Sequence, residues 1–486
     1  MEEAVFSAAV LAKLPLADAV WRLLHFTMDD PWLDDLWHRH RGRCYEQDLK
    51  FSTLAHLIAE ALLQHGGSGN QAFERAQEGE ILPVSITSTY EKLGDLPLPV
   101  SQALLEDGTR RMQAVLPERP AVDPLPDCWA DHELFGADGK AIKHVKRLLK
   151  PLRGLQAGIL GARASVALNL RTGLAVALVG HLDGEAGEGA LTEALLPKLA
   201  AAAGVGRAWV VVLDRLYSNL RFPQKVLKAG GHFLIRYCSN TTFVPDAARP
   251  QQESRDARGQ RIVQEWGWLG KAPKTRLEVR RITLEMPGGP SLCVVTDLLD
   301  ATMYPAEDML TTYQKRWGIE TVFHQITDVF SLKHLIGTKP KAVLFQLSFC
   351  LLLYNVLQVV RGHLAWHQSC AAATISNEKL FYDVERQLVA VSELVEVEPL
   401  LSLLGEVPTT ADLRERLRDG LHNAWSDRWW KAPSSRRGGH QKVKTRVLGN
   451  HTSTYRVLQQ AQEQKVRPPS APRPATPATA PLRPTR

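Results

Sequence analysis

Residues Ala208–Leu213 read Ala-Trp-Val-Val-Val-Leu, a continuous apolar run that stops at Asp214. So short a run, β-branched and without alternation, predicts a strand buried on both faces. A strand of that kind needs a layer above and a layer below it, which points to an α/β domain. The neighbouring segments can supply those layers. Ala162–Leu170 and Leu174–Gly180 are apolar runs joined through Arg171-Thr172-Gly173, a hairpin signal. Gly189–Ala203 is a helix rich in Ala and Leu, a second helix follows Asp214, and His232–Cys238 reads as another strand. With a strand beginning near Cys128, the order is strand, hairpin, helix, strand, helix, strand, as expected of one mixed sheet.

The flanks have other rhythms. Residues 1–120 are helical in pattern; Phe51–Gln64 carries apolar residues at helical spacing and ends at Gly66-Gly67-Ser68-Gly69. Pro117–Pro126 is a Pro-rich connector. The first part of the α/β core is then expected over 121–239 and a β-rich insertion over 240–300. The second part of the core, with a long helix starting after Pro305 and running through Glu320, is expected over 301–370. A helical region follows over 371–432. The tail, 433–486, is basic and rich in Pro, with Glu463 its one acid after Pro433, and is expected to be disordered.

Composition narrows the function classes. The formal net charge of +7 favours a nucleic acid or another anionic partner. The six cysteines form no Cys-x-x-Cys pair, which argues against a zinc ribbon and fits a reducing compartment. The start, Met1-Glu2-Glu3, lacks a basic signal-peptide region, so a cytoplasmic protein is expected. Ala342–Val360 is apolar but holds Gln346, Ser348, Asn355 and Gln358, the mark of a buried helix rather than a membrane span. Neither a P-loop nor a Gly-x-Gly-x-x-Gly motif is present.

Three carboxylates stand out. Asp214 ends the buried strand, where α/β sheets open their crevices, though an Asp there also caps a following turn. Asp138 lies at an Asp-Gly turn signal with Asp131 as its nearby competitor. On a continuous helix Tyr313, Arg316 and Glu320 fall within about 60° of one another, beside the apolar face of Ile319, Val322, Phe323 and Ile326. An Arg–Glu pair on a solvated helix is the plainer reading of that stripe. Together the three acids form a candidate site for two divalent ions, which take oxygen ligands and assist phosphoryl transfer.

These residues resemble a known family. Tyr313–Glu320 resembles the Tyr-x2-Arg-x3-Glu signature of DDE transposases of the insertion-sequence IS-four family. Val210–Asn219 resembles that family's second-Asp segment and Ala137–Lys143 its first. The resemblance covers roughly residues 40–365. It implies an RNase H-like mixed-sheet catalytic core with a β-rich insertion, flanked by helical regions, the N-terminal one binding DNA. It implies Asp138, Asp214 and Glu320 as catalytic metal ligands, Mg²⁺ as a pair of ions (with Mn²⁺ as a substitute), and cut-and-paste transposition of an insertion sequence. The implied partners are transposon-end and target double-stranded DNA, with a homodimer in the synaptic complex and no membrane. The implied setting is the bacterial nucleoid.

One position departs from the pattern. The signature ends with a Lys seven residues after the Glu, where it grips a DNA-end phosphate, and here that residue is Thr327. The departure leaves open a catalytically impaired relative that binds DNA and regulates transposition. Further DNA contacts are expected from Tyr313 and Arg316, and from the cluster that includes Lys140, Lys143, Lys146 and Arg147. Trp266 and Trp268, two residues apart on one predicted strand face, are candidates for stacking a flipped base or for filling the insertion's core.

Overall fold

A computed structural model describes the chain except residues 1, 45, 47, 119–124, 144, 146–147, 157, 287–289, 329–331, 333, 396–399, 401–402, 432–450 and 467–486. It opens with helices α1 (Glu2–Lys13), α2 (Pro15–Thr27), α3 (Asp30–His40), α4 (Phe51–Leu63), α5 (Gly69–Glu78), α6 (Ile86–Asp95) and α7 (Leu98–Gln113). Strands β1 (His132–Ile142), β2 (Gly158–Leu160), β3 (Ala162–Asn169) and β4 (Ala175–His181) lead to α8 (Glu188–Ala203). Then come β5 (Ala208–Leu213), α9 (Arg221–Lys228) and β6 (His232–Arg236). The order matches the sequence expectation, hairpin included.

The central sheet runs β4-β3-β1-β5-β6. β1 pairs antiparallel with β3, and β3 with β4, while β1, β5 and β6 are mutually parallel. Alternation along β5 shows why the run had to be wholly apolar. Trp209, Val211 and Leu213 enter the core under α8 and α9, and Val210 and Val212 enter the larger core on the opposite face.

The predicted β-rich insertion contains β7 (Phe243–Pro245), β8 (Gln252–Arg255), β9 (Arg261–Leu269), β10 (Leu277–Leu284) and β11 (Leu292–Thr296). It extends the same sheet, through β11 against β6, to ten strands. Its Trp266 is buried and donates Nε1–H to the Leu299 carbonyl at 2.9 Å; Trp268 lies half-buried under the Arg276 guanidinium, 3.7 Å from the ring centroid. Trp266 therefore fills the core of the extension and has no face open to a flipped base. Trp268 already has a cation as its stacking partner.

Beyond the insertion lie α10 (Ala306–Lys315), α11 (Trp317–Asp328) and α12 (Pro340–His367). The expected long helix through Glu320 is thus two helices with a break at Arg316, whose amide bonds the Tyr313 carbonyl at 3.1 Å in a tightened turn. α12 is long and apolar enough to cross a membrane, but its most apolar stretch is wholly buried in the fold. Two of its polar residues fasten it there: Asn355 bonds both the amide and the carbonyl of Ala175 and the Thr109 hydroxyl, each at 2.8 Å, tying α12 to β4 and α7. Gln346 accepts from the Ile336 amide and donates to the His334 carbonyl. The N-terminal helices share one continuous hydrophobic core with α12 and one face of the sheet.

α13 (Asn377–Leu394) and α14 (Thr410–Leu421) complete the helical layer. The tail corrects the expectation of disorder over part of its length. β12 (His451–Ser453) pairs in parallel with β2, and α15 (Thr454–Val466) follows. Ser453 Oγ accepts from the Gly184 amide at 3.1 Å, and Arg456 binds Asp183 at 2.8 Å and also Glu185. A low-complexity surrounding hides these few anchoring residues from a compositional reading.

Candidate active site

Asp138 and Asp214 are brought together by strand register. Gly136 of β1 pairs with Val212 of β5, and each Asp lies two residues further on. The same parity sets their direction. Leu134 of β1 and Val212 of β5 point into the core under α12, so Asp138 and Asp214 point to that face. Asp131 precedes β1 at its other end and is exposed, so it is not the acid at this crevice. Gly136 keeps β1 bare where the α10–α11 junction passes: a Cβ there would meet Leu170 Cδ2 at 3.0 Å and Arg316 Cα at 3.8 Å.

Burial pushes the Asp138 carboxyl up to about 6, opposed by the Gly139 amide at 2.9 Å and by Arg316, and reinforced by the neighbouring Glu188 and Asp214 carboxylates. Asp214 Oδ1 accepts the Leu216 amide at 2.8 Å, so it also performs the capping role that the plainer reading gave it. Glu320, in the first turn of α11, is about half exposed, and its Oε1 takes the Arg316 Nη2 donor at 2.8 Å.

Arg316 and Tyr313 correct another expectation. They are 5% and 2% exposed, and Arg316 is committed to Glu320, so neither offers a surface to a DNA phosphate in this state. Their stripe borders the core, and burial takes them into it. Lys140 is half-buried, with Nζ donating to Thr327 Oγ1 at 2.8 Å and to the Phe323 carbonyl at 3.1 Å; Lys143 is exposed. Lys146 and Arg147 lie outside the described residues.

Sequence reasoning missed Glu188. It opens α8, and its carboxylate accepts from Arg163 Nη2 at 2.8 Å and from the Tyr217 hydroxyl at 3.0 Å. Tyr217 is buried, and its hydroxyl also meets Thr192 Oγ1 at 2.7 Å. The only signal in the sequence was an acid at the start of an Ala- and Leu-rich helix, which also fits a favourable helix-dipole charge.

Among the described residues no three His, Cys, Asp or Glu side chains gather closely enough to hold one ion. Mg²⁺ does not require three, because it keeps several waters and binds through one or two carboxylates. The adjacent Asp138 and Asp214, all-oxygen donors at one crevice, fit such an ion. Glu320 is held by Arg316 at 2.8 Å.

A five-stranded core of order β4-β3-β1-β5-β6, with Asp138 within β1 and Asp214 directly after the adjacent parallel strand β5, defines an RNase H-like α/β fold. Residues 133–356 match the family model described as Transposase DDE domain. That span runs from β1 into α12 and includes all three carboxylates. Among solved structures, a piggyBac transposase in a synaptic complex with hairpin DNA is similar at 12% identity, over 86% of this chain and 88% of that one. Its TM-score of 0.38 is too low to carry an argument. No curated protein matches the chain.

Proposed function

We propose that the chain is a DNA transposase that cuts and rejoins transposon-end DNA by metal-assisted phosphoryl transfer, in a cut-and-paste reaction. The observation that carries this reading is the exit of Asp138 and Asp214 side by side, on the face where Arg316 holds Glu320, inside the span that matches a transposase domain. Bound there, a pair of Mg²⁺ or Mn²⁺ ions would activate the attacking oxygen and neutralise the leaving one. The chain's own part is positional. Register fixes the two Asp side chains, the Gly139 and Leu216 amides orient their oxygens, and Arg316 holds the Glu320 carboxylate until a cation competes for it. The carboxylates are ligands and not nucleophiles; water attacks first, then the freed 3′-hydroxyl. The partners in this reading are transposon-end and target DNA, with two copies of the chain acting on two ends in the bacterial cytoplasm.

The test is cleavage of a duplex built from the sequence flanking the coding region, in Mg²⁺, by the wild type and by Asp214→Asn. Cleavage and strand joining by the wild type alone support the reading. DNA binding without cleavage by the wild type would favour the regulator. Cleavage without joining would leave a nuclease.

A further inference from the structure

Lys140 follows Asp138 by two residues on β1 and therefore leaves the sheet on the same face, toward α11. There its ammonium group meets Thr327, the residue that stands where the transposase signature has a lysine. The hydrogen bonds form a directed chain: Lys140 Nζ donates to Thr327 Oγ1 at 2.8 Å, and Thr327 Oγ1 donates to the Phe323 carbonyl at 2.6 Å. Lys140 Nζ also lies 5.3 Å from the centroid of the Phe323 ring. The cation that α11 lacks at position 327 is present at that place, carried by a different element.

Beside it opens a cavity of about 390 Å³, lined in part by Lys140, Lys143, Arg163 and Thr327. Its described lining holds no acid and three cations, of which Arg163 is already paired with Glu188 at 2.8 Å. The nearby Glu188 is occupied by Arg163 and Tyr217. The cavity adjoins Asp138 through Gly139, which is part of its wall.

We propose that this cavity seats a phosphodiester group of the bound DNA, and that Lys140, aimed by the Thr327 hydroxyl, supplies the charge that the signature lysine would bring. The inference rests on the transposase reading and deepens it. An ammonium is a compact point charge with three donors, suited to a phosphate oxygen. The phosphate competes with the Phe323 carbonyl for one of those donors. Lysine on both β1 and α11 would place two ammonium groups at one point, so the arrangement admits one or the other.

The test is the salt dependence of binding to duplex DNA made from the sequence flanking the coding region. Four proteins are compared, with melting temperature as a folding control: wild type, Lys140→Met, Thr327→Lys and the double variant. Lys140→Met is expected to weaken binding on the order of tenfold and to flatten the log–log salt slope by about one. The double variant should recover both, while Thr327→Lys alone should gain in neither. A wild-type slope in Lys140→Met, or an added gain from Thr327→Lys in the wild-type background, overturns the proposal. If either occurs while the wild type cleaves and Asp214→Asn does not, the seat is refuted and the transposase reading stands. A wild type that neither binds nor cleaves the duplex refutes both.

Discussion

Glu188 is packed onto Gly139, the residue next to Asp138: a Cβ at position 139 would stand 2.3 Å from Glu188 Cδ and 2.6 Å from its Oε2. Glycine at 139 is thus the condition for a second carboxylate to lie beside the first. Gly139→Ala should displace Glu188 and reduce cleavage by about tenfold or more, because near-attack geometry tolerates little shift. Glu188→Gln keeps the shape and removes the charge. Calorimetric titration with Mg²⁺ alone should show weaker binding in Glu188→Gln with little change in melting temperature. Unchanged metal affinity would confine Glu188 to a packing role.

Asp138 gives a stability prediction with a definite sign. Its carboxyl titrates near 6 in the folded protein against an ordinary 3.8. Between those values the folded state holds a proton that the unfolded state has lost, so the metal-free protein loses stability as pH rises from about 4 to about 6. Asp138→Asn removes that cost. Without metal, it should raise Tm by about 1–3 °C at pH 7.5 and not at all at pH 4. Cleavage should vanish in the same variant. Equal Tm for wild type and variant at pH 7.5 would show that burial at this site imposes no such cost.

Arg316 is expected to be both a structural and a positioning residue. Arg316→Ala empties a buried volume and frees Glu320, so melting temperature and cleavage should both fall. Arg316→Met refills the volume without the guanidinium. It should recover most of the Tm and none of the activity. Full cleavage by Arg316→Met would show that Glu320 does not need its tether.

His363 links α12 to the end of α7, with Nε2 3.0 Å from the Val115 carbonyl, and burial depresses its pKa to about 4. A depressed value means that the stability is complete above the ordinary 6.5 and is lost as pH falls toward 4. Carried through the whole difference between the two values, that loss corresponds to on the order of 3 kcal/mol. His363→Gln should be less stable than the wild type at pH 7.5 and show a shallower loss between pH 6.5 and 4, measured by urea unfolding. An unchanged acid limb would assign that loss to other groups.

What the sequence disclosed follows physical lines. β5 and Asp214 were legible because a strand covered on both faces admits only apolar residues until it ends. Asp138 was legible only as one of two acids; strand parity and register, which need the paired partner, separated it from Asp131. The break at Arg316 left no Pro or Gly mark before it, so the stripe of Tyr313, Arg316 and Glu320 read as one continuous face. Burial of Trp266 depended on β9 joining the main sheet through β10 and β11, a tertiary pairing that local periodicity does not report. The anchoring of β12 rests on three residues opposite β2, too few to register in a low-complexity stretch.

The burial of α12 also sets an order of events at the ribosome. α7 and β4 both close against this helix, which ends at His367, so the early helices and the sheet have no complete partner layer until about three quarters of the chain has been made. A nascent chain that already carries Asp138, Asp214 and Glu320 still lacks the helix that α7 and β4 close against. The fold is therefore completed late, and messages truncated before α12 should yield products that are cleared as misfolded.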